Sequence, residues 1–250
     1  RKPELTWNTR FNFNKMYNKV LSMPRNVSEY YIADTWLYGN ARGGLVLGGP
    51  TTSITATSYE RNNAGKILIS PLTGLPQTTG GVFKVAGDRN PDFTLGWLNS
   101  FRWKNWKLTF LWDLKVGGDI YNGTNMFLTR LGKSKLTVDR NTPRVIEGVL
   151  MDGLENSSTP TINTIAVTPA FYNSYYTTMP EAAFIEKDVN WFRLRDITLS
   201  YTFPSDFIKT IKSLSCFITG NDLILLTNYS GADPAVNGNT AGSQGVGAFG

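Results

Sequence analysis

Residues 93–116, FTLGWLNSFRWKNWKLTFLWDLKV, constrain the fold more than any other stretch. They read as two strands of about 11 residues joined at Lys104-Asn105, with apolar and polar side chains alternating in both arms. Pairing about that turn places Trp103 opposite Trp106, Phe101 opposite Leu108, Asn99 opposite Phe110, Trp97 opposite Trp112, Leu95 opposite Leu114 and Phe93 opposite Val116. The other face then carries Arg102 with Lys107, Ser100 with Thr109, Leu98 with Leu111, Gly96 with Asp113 and Thr94 with Lys115. One register sorts both strands into an oily and a wet face, because a slip by one residue would exchange the faces. So aromatic a face must meet a second sheet or lipid. Arms of this length match the roughly 9 to 11 residues that a tilted strand needs to cross a bilayer, and the turn-end tryptophans would sit in an interfacial aromatic girdle.

Further strands of the same kind flank the hairpin. In 5–15, Leu5, Trp7, Phe11 and Phe13 alternate with Thr6, Asn8, Arg10, Asn12 and Asn14. In 191–204, Ile197, Leu199, Tyr201 and Phe203 alternate with Asp196, Thr198, Ser200 and Thr202 until Pro204 stops the ladder. Residues 205–213 suggest a helical turn capped by Ser205, with Phe207, Ile208 and Ile211 on its apolar side. Residues 214–226 form the partner strand, with Cys216 as a small lipid- or core-facing residue. If the odd face of 191–203 points outward throughout, Arg193 and Arg195 would face lipid, and they are expected near head groups.

Two long excursions separate these strands. From 20 to 90 the chain is rich in Gly, Pro, Asn, Ser and Thr, with aromatic islands at Tyr30-Tyr31 and Trp36-Tyr38 and short apolar runs at 45–47, 53–57 and 66–69. From 117 to 190 come Gly117-Gly118-Asp119, a possible short helix over 121–131, and the aromatic cluster Phe171, Tyr172, Tyr175 and Tyr176. Flat apolar rings beside amides suit sugars or peptides, so Trp36, Tyr38, Tyr172, Tyr175 and Tyr176 are the candidate ligand contacts; the alternative is that the tyrosines pin the loop. Long and tight connections alternate, as in outer-membrane barrels.

Composition narrows the chemistry. The 250 residues contain no histidine and a single cysteine, so imidazole-dependent triads, zinc clusters and an internal disulfide cannot be built here. No catalytic residue, metal site or cofactor is expected. The formal net charge of +6 is scattered rather than clustered, which argues against a nucleic-acid partner. No run of about 18 apolar residues is present. The opening RKPELTW resembles neither a signal peptide nor a natural start, and the chain is expected to be one portion of a longer polypeptide.

Three sets of residues carry a family resemblance. They are Trp191 to Pro204 (WFRLRDITLSYTFP), Thr219 to Leu223 (TGNDL) and Tyr229 to Pro234 (YSGADP). Together with NPDF at 90–93, GGDIYNGT at 117–124 and RVIEGV at 144–149, in that order, they resemble the C-terminal part of SusC-like TonB-dependent outer-membrane transporters. Phe203-Pro204 and Asn221-Asp222 stand where the family pattern would lead to Leu-Pro and Gln-Asn.

The resemblance implies an all-β fold: part of a single transmembrane antiparallel barrel domain, of about 22 strands in a complete protein, in a bacterial outer membrane. It implies active import of oligosaccharides or oligopeptides, a TonB partner acting through an N-terminal region, and a SusD-like surface lipoprotein as lid. The plug, TonB box and closing strand are expected outside these residues. Arg10, Arg102, Lys107, Asp113 and Asp196 would then face the lumen, together with Arg193 and Arg195. Trp97, Trp103, Trp106, Trp112, Leu199, Tyr201 and Phe203 would face lipid or its interface. A scaffold role for the same barrel in an outer-membrane assembly or secretion complex, and a secreted carbohydrate-binding sandwich, are the alternatives.

Overall fold

The computed structural model describes residues 5–34, 41–171, 174–204 and 213–235. The region read as a capped helical turn, 205–213, lies almost wholly outside them, as do Trp36, Tyr38 and Tyr172. The described strands are, in chain order, β1 (Leu5–Asn14), β2 (Tyr30–Asp34), β3 (Arg42–Leu45), β4 (Ser53–Ala56), β5 (Leu68–Ile69), β6 (Lys84–Asp88), β7 (Phe93–Trp103), β8 (Trp106–Val116), β9 (Ile120–Tyr121), β10 (Arg144–Val145), β11 (Val149–Leu150), β12 (Ala166–Val167), β13 (Ile185–Glu186), β14 (Trp191–Thr202) and β15 (Ser215–Thr227). Strand is the prevailing regular structure, and no helix among the described residues is long and apolar enough to cross a membrane. The chain divides into two units.

The first unit is a five-stranded antiparallel sheet in the order β1-β7-β8-β14-β15. Its central hairpin has the register that alternation predicts, from Phe93 with Val116 to Trp103 with Trp106. Lys104 takes a positive φ of 52° at the first turn position, a conformation that primed two-residue hairpin turns require and that Asn-Gly would have adopted at lower cost. β1 joins β7 with Leu5 against Trp103 and Asn14 against Thr94. The chain therefore leaves β1, β8 and β15 at the end of the sheet opposite the tight turn, and both excursions depart from and return to that end. The sheet is open, with β1 and β15 as its edges among the described residues.

Alternation in β14 does not run through unbroken. A bulge between Leu194 and Asp196 inserts one extra residue against β8, so Leu194 sits opposite Trp112 and Asp196 opposite Leu111. Phe192 and Leu194 thus share the oily face with Ile197, Leu199 and Tyr201, and Arg193 falls on the wet face. The break removes the condition under which Arg193 and Arg195 would face lipid. Arg193 is 3% exposed and Arg195 reaches wet-face Asp113.

The second unit is built from the excursions. β2, β3, β4 and β6 form a four-stranded sheet, and Ala41, Ile54, Ala56, Tyr121, Met126, Phe184 and Ile185 form its core. Of the run 45–47 only Leu45 is in a strand, because Gly48, at φ 79°, folds the chain back so that the Gly49 N–H donates to the Val46 carbonyl. The helix expected over 121–131 is α1 (Gly123–Arg130), capped by the Asn122 side chain, which accepts from the Asn125 N–H at 2.8 Å.

β5 and β11 pair in parallel beneath Gly148, where a Cβ would stand 2.5 Å from the Ile67 carbonyl oxygen and 2.7 Å from Ile69 Cγ1. Gly148→Ala is expected to push this pair apart at a cost on the order of 1–3 kcal/mol. Limited proteolysis should then cut 61–69 and 147–163 roughly ten to a hundred times faster while leaving the long strands intact.

Candidate functional site

Pairing across the five strands places Arg10, Arg102, Lys107, Asp113 and Asp196 on one face of the sheet. Arg10 lies opposite Leu98, Arg102 opposite Lys107, Asp113 beside Gly96 and Arg193, and Asp196 between Leu111 and Asn221. At the bulge this face carries a connected set of charges. Arg195 Nε donates to Asp113 Oδ2 at 3.0 Å, with its Nη2 at 2.8 Å from the same oxygen. Arg193 Nη1 donates to Asp222 Oδ1 at 3.1 Å, and Arg195 Nη1 lies 3.6 Å from that oxygen. Trp191 Nε1 also donates to Asp113, at 3.4 Å, and Lys115 Nζ stands 4.6 Å above the Trp191 ring.

Asp222 takes a φ of 50°. A short polar side chain tolerates that conformation, and it turns the carboxylate toward both arginines. Two cations and two anions thus alternate on the wet face, so none of the four stands without a counter-charge in a partly dehydrated setting. In the sequence Asp222 stands out only as part of the TGNDL motif. Its partners are 27 and 29 positions away, and only the register brings them together.

The opposite face carries Trp97, Trp103, Trp106, Trp112, Leu199 and Tyr201, and its rings stack in ladders across strands. Trp7 stacks on Phe101, Phe11 on Trp97 and Trp112 on Phe192 at 5.6, 5.7 and 4.4 Å between centroids. Tyr201 packs 4.7 Å from Trp106, and Phe203, just past the end of β14, meets Tyr201 edge-on at 4.9 Å. Two polar residues interrupt this face, Thr9 and Asn99, and two indoles cover them. Trp7 Nε1 donates to Asn99 Oδ1 at 3.0 Å, and Trp97 Nε1 donates to Thr9 Oγ1 at 2.9 Å. Trp7, Phe11, Trp103, Trp106 and Leu199 are all between 43% and 59% exposed, so no second sheet packs on this face among the described residues.

Of the loop aromatics, Tyr175 and Tyr176 are described, on a helical turn at Ser174–Thr177. Their rings meet edge-on at 4.8 Å. Tyr175 lines a slot of about 20 Å³ with Tyr59, Leu75, Pro76, Thr178 and Met179, which has room for a water molecule but not for a sugar ring. Burial, and then Tyr175, push the Tyr59 phenol up to about 12.

Beside them, Arg144 Nη2 lies 2.8 Å from Asp139 Oδ1 and holds that carboxyl below its usual range. A depressed carboxyl contributes stability in full above the ordinary aspartate value and loses it as pH falls through the depressed one. Hydrogen exchange in 138–145, corrected for intrinsic rates, is therefore expected to quicken below about pH 4, and Asp139→Asn should show the fast exchange at neutral pH as well. An unchanged pH profile in that variant would disprove the assignment.

No family model matches the chain. It is 28% identical over 263 aligned residues to TonB-dependent receptor P3 of Formosa agariphila, covering 94% of this chain and 24% of that protein. It superposes on a structure of the RagAB peptide transporter with a TM-score of 0.52 and 16% identity, covering 92% of this chain and 24% of the other. The RagAB peptide importer in its 'closed-closed' state gives a TM-score of 0.53 with the same identity and coverage. The chain thus spans about a quarter of the length of the proteins it matches, which are named as receptors and transporters rather than enzymes. By sequence the chain is therefore related to a TonB-dependent receptor, and its fold resembles one stretch of the RagAB structures.

Proposed function

We propose that this chain forms part of the wall and outer loops of an outer-membrane β-barrel that imports an oligosaccharide or oligopeptide, energised through TonB and working with a SusD-like lipoprotein. The observation that carries the reading is the sorting of the five long strands. Charges and amides, including the Asp113–Arg195–Asp222–Arg193 set, occupy one face, while laddered and uncovered aromatics occupy the other. In a barrel the first face, with Arg10, Arg102, Lys107 and Asp196, meets the aqueous lumen. The second meets acyl chains, with Trp103, Trp106, Tyr201 and Phe203 at the turn-end interface. The indoles that donate to Thr9 Oγ1 and Asn99 Oδ1 suit that setting, since they give these two oxygens partners within the protein. The likeness to a TonB-dependent receptor and to RagAB supports import over the other roles such a wall could serve.

The test uses the complete protein in its native outer membrane. Deleting its N-terminal TonB-interacting segment is expected to abolish uptake of the solute, and a lipoprotein is expected to co-purify with the protein in detergent. Uptake unaffected by the deletion, with membrane-assembly proteins co-purifying, would replace import by a scaffold role. A soluble protein with no membrane association would overturn both.

A further inference from the structure

The excursion unit contains a cleft of about 370 Å³, lined by Arg61, Gly65, Lys66, Ile67, Glu147, Gly148 and Ile162. Its size is within the range of small-molecule sites. Local backbone chemistry fixes each wall. On one side, 61–67 is a tight turn closed by the bridge between Arg61 and Ile67. Asn62 Oδ1 accepts from the N–H groups of Ala64 and Lys66 at 3.1 and 2.9 Å, and Arg61 Nη1 donates to the Gly65 carbonyl at 2.7 Å. On the other side, Asn163 is 4% exposed and clamps 146–148, its N–H donating to the Gly148 carbonyl and its Nδ2 to the Ile146 carbonyl. The Val149 N–H donates to the Ile67 carbonyl at 2.9 Å and ties the two walls at the floor, where Gly148, having no Cβ, lets the two segments approach closely.

The cleft is thus built by backbone, and its charges are left for another purpose. Arg61 and Lys66 stand on one wall and Glu147 on the other, and among the described residues Glu147 makes no ion pair with either cation. Opposite charges that share a cleft without pairing are held apart by its walls. A guanidinium and an ammonium lining one cleft complement a carboxylate, and Arg61 keeps four of its five N–H donors beyond the one that holds Gly65. Glu147 accepts from an amide, amine or hydroxyl some way along the same molecule, while Ile67 and Ile162 face its apolar parts.

We propose that this cleft recognises a free carboxylate on the imported solute, with Arg61 and Lys66 taking the carboxylate and Glu147 a neighbouring N–H or O–H donor. The inference rests on the import reading for its solute, and it narrows that solute to an acidic oligomer. A peptide C-terminus and a uronic acid share this chemistry.

The experiment is calorimetric titration of the complete protein in detergent with trialanine, trialanine amide, trigalacturonic acid and its methyl ester. At least one free-acid probe is expected to bind. Masking that acid and the double substitution Arg61→Gln with Lys66→Gln should each weaken binding by about tenfold or more. Binding of trialanine alone assigns a peptide C-terminus, and binding of trigalacturonate alone assigns a uronic acid. Failure of both acids to bind, equal binding of acids and masked probes, or unaltered binding by the double variant would each overturn the proposal. All three side chains lie at the surface, so the variants should keep the wild-type heat-modifiable migration, and Lys133→Gln, outside the cleft, serves as control. Uptake of the bound acid separates the two readings. Loss on deletion of the TonB-interacting segment but not in the double variant leaves import standing without the cleft. Cleft-dependent binding with uptake indifferent to that deletion does the reverse.

Discussion

Ile197→Arg is expected to cost the assembled protein about 2–4 kcal/mol, whereas Thr198→Arg, one residue along the same strand, should be nearly silent. Ile197 lies midway along β14, opposite Phe110 on one side and Gly220 on the other, on the face that carries the aromatic ladders. Thr198 points the other way and shares a hydroxyl contact of 2.9 Å with Thr219 on the wet face. A charge near a bilayer midplane must drag water or head groups inward, and 2–4 kcal/mol corresponds to roughly 30- to 1000-fold less assembled protein at equilibrium. Heat-modifiable migration and surface biotinylation of outer membranes read that quantity directly. Ile197→Phe separates lipid from a packed protein core, because fluid chains accommodate a larger ring while overpacking a core costs about 1–3 kcal/mol. Tolerance of Phe together with rejection of Arg is the lipid signature. Rejection of both would mean that a second protein layer covers this face.

The difference between the two units in what sequence could reveal has a physical origin. In the long strands every second side chain faces the same solvent, so period-two patterning carries both the pairing and the faces, and the hairpin register follows from it residue by residue. The bulge was legible too, since the apolar positions Leu194 and Ile197 are three apart where a regular strand would give two or four. Reading one phase through that break would put Arg193 on the oily face, whereas the bulge puts it on the wet one. Asp222 carried no such signal, because its arginine partners are supplied by a different strand and only the register brings them to it.

The excursion unit shows no period at all. Its strands are two to five residues long, and its core is assembled from single residues supplied by segments more than a hundred positions apart, such as Ile54 and Phe184. The cleft is equally hidden. Arg61, Lys66 and Glu147 are ordinary exposed charges until Gly148 and Asn163 bring their loops together.

Tyr121→Ala is expected to unfold the excursion unit selectively, with a loss of about 3–5 kcal/mol. Tyr121 is fully buried and lies in β9, next to the Asn122 cap of α1 and paired with Ile185 of β13. Its ring is therefore shared by the three segments that meet in this core. Its hydroxyl donates to Met126 Sδ at 2.8 Å, and burial pushes its pKa far above the ordinary phenol value, so the group stays neutral at any physiological pH. Tyr121→Phe keeps the ring and removes the weak hydrogen bond to Met126, and should cost about 1 kcal/mol, far less than the truncation. Around it, polar groups lock the same junction. Asp119 Oδ2 accepts from the Asp88 N–H at 2.9 Å and from Lys187 Nζ at 2.8 Å, and Glu181, 4% exposed, pairs with Arg130 at 3.4 Å while accepting from Thr57. Truncating Tyr121 leaves these groups with their partners displaced, so the loss propagates through 119–187. Hydrogen exchange should therefore rise across 53–56, 119–130 and 181–187 while β7, β8 and β14 keep their protection, since the long strands are held by their own ladders. Equal loss of protection in the long strands would show that the two units unfold as one.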